Sequence, residues 1–183
     1  MYFERAGEDN TERTLKIAIE EAKRRGVGHL VVASTTGETG LLAARMCQGK
    51  GLKLVVVTHN VGFSEEGVDE FDPQKRREIE SLGGKVYTGT MVLRSLGTSI
   101  RAQQGYSQQD LVANTLRIFG QGVKVCVEIV AMAADAGLIP FDDVIAVAGT
   151  KRGADTALLV RANSSNAFFQ IKVREVLAKP KEF

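Results

Sequence analysis

Leu30-Val31-Val32-Ala33-Ser34-Thr35-Thr36-Gly37-Glu38-Thr39-Gly40 is an apolar run that gives way, without a spacer, to hydroxyls and glycine. A continuous apolar run reads as a strand covered on both faces, which is the pattern of a parallel sheet. The helical periodicity that follows, from Thr39 to Gln48, makes this junction a strand-turn-helix. A helix start of that kind leaves backbone N–H groups without partners and favours an anion. Thr35 and Thr36 add hydroxyls, and Gly37 lets a ligand approach the backbone closely. The plainer use of the same residues is a cap, with Thr36 or Thr39 closing the first helical turn.

Reading outward, Leu15, Ala18, Ile19 and Ala22 recur at helical spacing after Asn10-Thr11-Glu12, and Gly26 stops that helix. Leu52 to Thr58 reads as a second apolar strand, Phe63 to Asp72 as a polar loop, Pro73 to Leu82 as a helix, and Lys85 to Thr90 as a third strand. Met91 to Gln104 has only broken helical turns around Gly97. Helices are expected from Gln108 to Phe119 and from Val123 to Ala136, the latter largely buried. Val144 to Val147 and Thr156 to Val160 complete five strands, and Lys179 to Phe183 reads as a frayed end. Strand and helix alternate throughout, which predicts one α/β domain over residues 1–183.

A second glycine-bounded turn, Gly149-Thr150-Lys151-Arg152-Gly153-Ala154-Asp155-Thr156, lies between the fourth and fifth strands. Ligands of open α/β sheets sit beyond the carboxyl ends of strands where the strand order reverses. In a 3-2-1-4-5 order the loops after strands one and four flank that point, so both turns serve one site. Lys151 and Arg152 supply the side-chain charge a phosphate dianion needs. The first turn lacks the early glycine of a dinucleotide fingerprint, and the second strand ends in Thr58-His59-Asn60 without an acid for a ribose, which argues against NAD. No Gly-x-x-x-x-Gly-Lys-Ser/Thr run is present, which argues against a P-loop hydrolase.

Composition narrows the function classes. The 24 Lys and Arg against 22 Asp and Glu are interleaved, and a formal charge of +2 gives no field for nucleic acid or an anionic membrane. No stretch reaches the ~20 apolar residues that cross a bilayer. Cys47 and Cys126 stand far apart without histidine at ligand spacing, so no metal site is expected, and Met1-Tyr2-Phe3-Glu4-Arg5 lacks the features of a signal peptide; a cytoplasmic protein is expected.

Ala33 to Thr39, Gly149 to Thr156, Val125-Cys126-Val127-Glu128-Ile129 and Met132-Ala133-Ala134-Asp135 together resemble the C-terminal α/β domain of pyruvate kinase. More closely they resemble small standalone proteins of that kind, mainly archaeal, over nearly the whole chain. The resemblance implies a three-layer α/β/α sandwich around a five-stranded mixed sheet, order 3-2-1-4-5, with the last strand antiparallel. In pyruvate kinases this domain is regulatory and its hydroxyl-rich loop holds a phosphate of a sugar bisphosphate. The positions that match here are Ser34, Thr35, Thr36, Gly37, Glu38 and Thr39, with Gly149, Thr150, Lys151, Arg152, Gly153, Ala154, Asp155 and Thr156 in the loop that folds over the ligand. The catalytic barrel has no counterpart in 183 residues, so pyruvate kinase activity is not expected. The standalone relatives imply flavin mononucleotide (FMN) as the ligand, its phosphate on the first loop and its ring near Thr58, His59 and Phe63. The same resemblance implies a homo-oligomer formed through helices, for which the two further helices between Met91 and Ile139 carry spare apolar surface.

Two residues are candidates for chemistry. His59 ends the second strand at the ligand edge, where it serves as a hydrogen-bond partner or a base; its plainer role is a polar loop residue. Glu128 and Asp135 lie seven apart on an apolar helix and can present carboxylates to a pocket, while Lys124, four residues before Glu128, offers an ordinary helix ion pair. The function expected from these residues is binding of a phosphorylated small molecule, FMN first. Its rivals are an enzyme that uses Glu128 or His59 as a base on a sugar phosphate, one that uses bound flavin for redox chemistry, and a protein-binding subunit.

Overall fold

A computed structural model describes residues 1–183. Its strands are β1 (Tyr2–Arg5), β2 (His29–Ala33), β3 (Lys53–Val57), β4 (Lys85–Tyr87), β5 (Asp143–Ala148), β6 (Thr156–Arg161) and β7 (Lys172–Glu182). Its helices are α1 (Thr11–Arg25), α2 (Glu38–Cys47), α3 (Pro73–Ser81), α4 (Ser95–Gln104), α5 (Gln108–Arg117) and α6 (Gln121–Asp135). The strands form one sheet in the order β1-β7-β6-β5-β2-β3-β4. β4, β3, β2 and β5 run parallel, and β6 is antiparallel to β5. These five are the expected 3-2-1-4-5 core with its antiparallel last strand.

The sheet has seven strands rather than five. β7 adds antiparallel to β6 through a register shift, and β1 adds parallel to β7, pairing Phe3 with Pro180. The segment read as a frayed tail is therefore a paired strand as far as Glu182. Its charged residues are exposed or half-buried, and only Leu177, Ala178 and Pro180 are buried. Such a strand carries little apolar pattern, and a proline within it argues against a strand in the sequence.

Alternation along the strands divides the core into two layers. Leu30, Val32, Leu54, Val56, Ile145 and Val147 face Leu15, Ile19, Leu41 and Ile79 of α1, α2 and α3. Val31, Val55, Val57, Val144 and Ala146 face Cys126, Val130 and Ala133 of α6. Because both faces are covered, β2, β3 and β5 are apolar throughout after their first residue, which is why they read as unbroken runs. α5 packs on α6, and α4 packs on α5. The ambiguous Met91 to Gln104 segment thus contains a true helix from Ser95, stopped at Gly105 in a left-handed conformation.

The neighbours β2 and β5 are parallel, with Leu30, Val31 and Val32 opposite Ile145, Ala146 and Val147. Chain connections leave this pair in opposite directions, so the strand order reverses here. The turn after Ala33 and the turn after Ala148 therefore emerge side by side.

Candidate functional site

These two turns border a cleft of about 1260 Å³. Single-ligand pockets occupy about 300 to 1,000 Å³, so this one has room for a large ligand or for two. Ser34, Thr35, Thr36, Glu38 and Thr39 line it from the first turn, Gly149, Thr150, Lys151, Arg152 and Gly153 from the second, and Thr58, His59 and Phe63 from the end of β3. α4, α5 and α6 close the opposite side with Arg101, Arg117, Lys124 and Glu128. Gly37, Ala154, Asp155 and Thr156 stand behind this surface instead of on it.

Capping at the first turn differs from expectation. The N-cap of α2 is Gly37, in a left-handed conformation (φ 102°) that side chains rarely adopt, and neither Thr36 nor Thr39 caps the helix. Ser34 does so from upstream: its Oγ accepts from the Gly40 N–H at 3.1 Å. The earlier amides of α2 have no carbonyl one turn back. Thr36, exposed, therefore keeps its hydroxyl available at an electropositive helix end, while the half-buried Thr35 hydroxyl lies within reach of His59. Glu38 pairs with Lys75 at 2.6 Å, which offsets the charge of the one acid in the first turn of α2.

The second turn is organised by a buried acid. Asp155 has no exposed surface, and its carboxylate accepts from Gly7 N (3.2 Å), Thr150 N (3.2 Å), Thr150 Oγ1 (2.7 Å) and Thr156 Oγ1 (2.8 Å). The Ala154 N–H donates to Thr11 Oγ1 at 3.0 Å. The loop is thus tied to the segment that joins β1 to α1, two elements remote in sequence. Lys151 and Arg152 are left exposed at the tip, and neither pairs with a carboxylate.

His59 sits between three groups. Its Nδ1 lies 2.9 Å from Glu70 Oε2, its Nε2 lies 3.5 Å from Thr35 Oγ1, and its ring stacks on Phe63 with centroids 3.7 Å apart. Arg94 covers that ring at 4.0 Å. Burial works against the Glu70 charge, but hydrogen bonds from His59 and Ser64 outweigh it and hold the carboxyl below its ordinary range. A carboxylate at Nδ1 fixes the imidazole orientation and leaves Nε2 for the cleft. Thr58 is spent within the protein, donating to Thr88 Oγ1 at 2.7 Å.

On α6 the expected carboxylate pair separates. Glu128 lies in the cleft wall, paired with Lys124, and Oε1 accepts from Leu93 N at 2.8 Å. Asp135 is exposed at the far end, where it accepts from Ser165 N. Seven residues are two helical turns, about 10 Å of rise, and carry Asp135 past the cleft. Cys47 and Cys126 are buried, and burial pushes the Cys47 thiol up to about 11. No three His, Cys, Asp or Glu side chains gather as metal ligands, and no helix is long and apolar enough to cross a membrane.

Sequence reasoning missed Glu70, Arg94 and Arg117. Glu70 lies within a polar loop that has no periodicity, and Arg94 in the segment whose helix was ambiguous. Only the fold brings them to His59 and α6.

Residues 12–160 match the model of the pyruvate kinase alpha/beta domain. The chain belongs to that family. Among solved structures it is similar to a pyruvate kinase from Cryptosporidium parvum, at 18% identity and TM-score 0.46, over 83% of this chain and 22% of that one. The same enzyme in complex with ADP gives 19% identity and TM-score 0.46, over 83% and 23%. O-ureido-L-serine synthase gives 18% identity and TM-score 0.33, over 72% and 40%. Likeness at these values carries no argument about ligand or reaction. The chain spans about a fifth of the length of the pyruvate kinases it matches.

The role of Asp155 has a direct test. Asp155→Asn replaces an acceptor of four donors by a group with two N–H donors of its own, so urea unfolding is expected to show a loss of about 1–3 kcal/mol. A stability within about 0.5 kcal/mol of the parent would mean that the loop does not depend on this carboxylate.

Proposed function

We propose that this pyruvate kinase alpha/beta domain binds a phosphorylated small molecule, FMN first, across the cleft between the two turns, without pyruvate kinase catalysis. The observation that carries this reading is the convergence of the α2 N-terminus, whose one acid, Glu38, is paired with Lys75, with the unpaired Lys151 and Arg152 on one sheet edge. The helix dipole is worth about 0.3–1 kcal/mol to an exposed anion, and each charge-assisted hydrogen bond about 1.5–3 kcal/mol. Affinity is therefore set by how many donors reach the phosphate, and the two turns together supply more than either alone.

The residues present fit FMN on two counts. The cleft volume admits it, and the His59 ring, stacked on Phe63, lines the same cleft as the phosphate turn; Phe63 is covered by His59 and Arg94, so a flat ring would meet it only at its edge. Thr35, Thr36, Lys151 and Arg152 would hold the phosphate, and His59 with the edge of Phe63 would lie beside the ring. When bound, FMN supplies one- and two-electron redox chemistry at that ring. No barrel that would transfer a phosphoryl group is present in this chain. The Glu70-His59 pair supports a second reading, an enzyme acting on a sugar phosphate, with Nε2 as the base and Glu70 holding the imidazole in place.

The reading includes self-association through α4 and α5. Leu96, Leu111, Ile118 and Phe119 are each at least 60% exposed along these helices and the turn that follows, which is apolar surface that a second copy can cover.

Calorimetry with FMN and riboflavin tests the phosphate anchor. FMN is expected to bind at least about tenfold more tightly, and Thr36→Ala and Arg152→Ala to weaken it by about 1–3 kcal/mol each. Equal affinity for the two flavins would remove the phosphate turn from the site. Light scattering on the same sample is expected to give about twice the 19.8 kDa chain mass. A monomer at micromolar concentration would refute self-association.

A further inference from the structure

The most deeply placed charges in the cleft are not those of the phosphate turn. Lys124 and Glu128 occupy successive turns of α6, with side chains only 4% and 1% exposed, and both belong to the cleft wall. Glu128 is fully engaged: Oε1 accepts from the Leu93 N–H and Oε2 from Lys124 Nζ. The ammonium is not. It carries three donors and spends one, on Glu128. Ile129 and Met132 of the same helix also line the cleft, and neither offers a strong acceptor to the remaining donors.

A purely structural ion pair explains this arrangement poorly. Burying two charges costs several kcal/mol per ion, and apolar replacements of similar volume are often as stable. A pair placed to steady α6 would be expected to use its donors within the protein. Burial pushes the Lys124 ammonium below its ordinary value against the pull of Glu128, and the nearby Arg117 and Arg94 act in the same direction. Those two guanidiniums have no carboxylate partner of their own: Arg117 binds Gln121 and Asn114, and Arg94 lies on Phe63.

We propose that Lys124 forms an imine with the carbonyl group of an anionic aldehyde or ketone, whose carboxylate or phosphate is held by Arg94 and Arg117, while Glu128 carries the protons. Glu128 Oε2 first takes a proton from Nζ, a transfer that removes both buried charges and leaves a free amine. The amine attacks the carbonyl carbon to make the N–C bond. The carbonyl oxygen takes the proton held by Glu128, and the new ammonium nitrogen returns one to the same carboxylate. Glu128 then protonates the hydroxyl, the C–O bond breaks, and water leaves as the protonated imine forms. The sum is the lysine ammonium and a carbonyl giving a protonated imine and water, with Glu128 returned as a carboxylate and no oxidant or reductant required. This site uses the same cleft as the flavin reading but none of the residues of the phosphate turn, so either can fail without the other.

Borohydride trapping decides it. The full chain is incubated with pyruvate in one arm and glyceraldehyde 3-phosphate in the other, reduced, and read by intact mass and peptide mapping. At least one arm is expected to give one reduced adduct per chain, on Lys124, and the arm that labels identifies the anion as carboxylate or phosphate. Lys124→Met and Lys124→Arg are expected to lose the adduct while FMN titration stays as in the parent. Glu128→Gln is expected to slow labelling about 100-fold. No adduct in either arm, labelling spread over surface lysines, or equal labelling of the Lys124 variants would overturn the proposal. Glu128→Gln labelled at the parent rate would remove Glu128 from the proton transfers.

Discussion

The buried carboxylate of Asp155 is the constraint on which the site depends. It receives four donors and has no exposed surface, and through Gly7 it joins the start of the chain to the loop between β5 and β6. Leaving any one of those donors unpaired costs about 1–3 kcal/mol, so the loop has one arrangement and not several. That arrangement puts Lys151 and Arg152 at the tip and Thr150 at the base. The oxygens of Asp155 are used up within the protein, so its part is to shape the loop.

The two ends of the cleft divide the electrostatic work. At the α2 end the partners are backbone amides, hydroxyls and exposed cations, which suit a solvated phosphate and are screened by salt. At the α6 end Lys124 and Glu128 are almost wholly withdrawn from water, where a charge interaction is stronger and an unsatisfied donor more costly. His59 lies between, held by Glu70 and covered by Phe63. A ligand that is anionic at one end and flat or apolar beyond it meets a suitable surface along the whole length.

Much of the fold was legible because both faces of the central strands are covered. Leu30 to Ala33 and Leu52 to Thr58 are apolar without alternation, and only a parallel sheet sandwiched by helices makes that pattern common. The edge was not legible. Tyr2–Arg5 has one buried residue, and Lys172–Glu182 is mostly charged, so the energy that makes them strands is main-chain pairing, which leaves no side-chain signature. The site was legible where chemistry is local: hydroxyls after a strand, cations in a glycine-bounded turn, Lys124 one helical turn from Glu128. It was not legible where the fold alone supplies the neighbour. Ser34, which caps α2 from six residues upstream of Gly40, Glu70 beside His59, and Arg94 over Phe63 are contacts between segments that share no pattern. Asp155, in the second turn, is buried off the cleft surface and orients that turn through its four donors.

The central claim is that phosphate is held by the α2 N-terminus together with the loop that Asp155 shapes. The most direct measurement is a titration of the 15N-labelled protein with inorganic phosphate, followed through the backbone amide resonances. The largest shifts are expected at Thr36 to Thr39 and Thr150 to Gly153, saturating together with a single dissociation constant. Saturable shifts centred elsewhere, or none at these two turns, would contradict it.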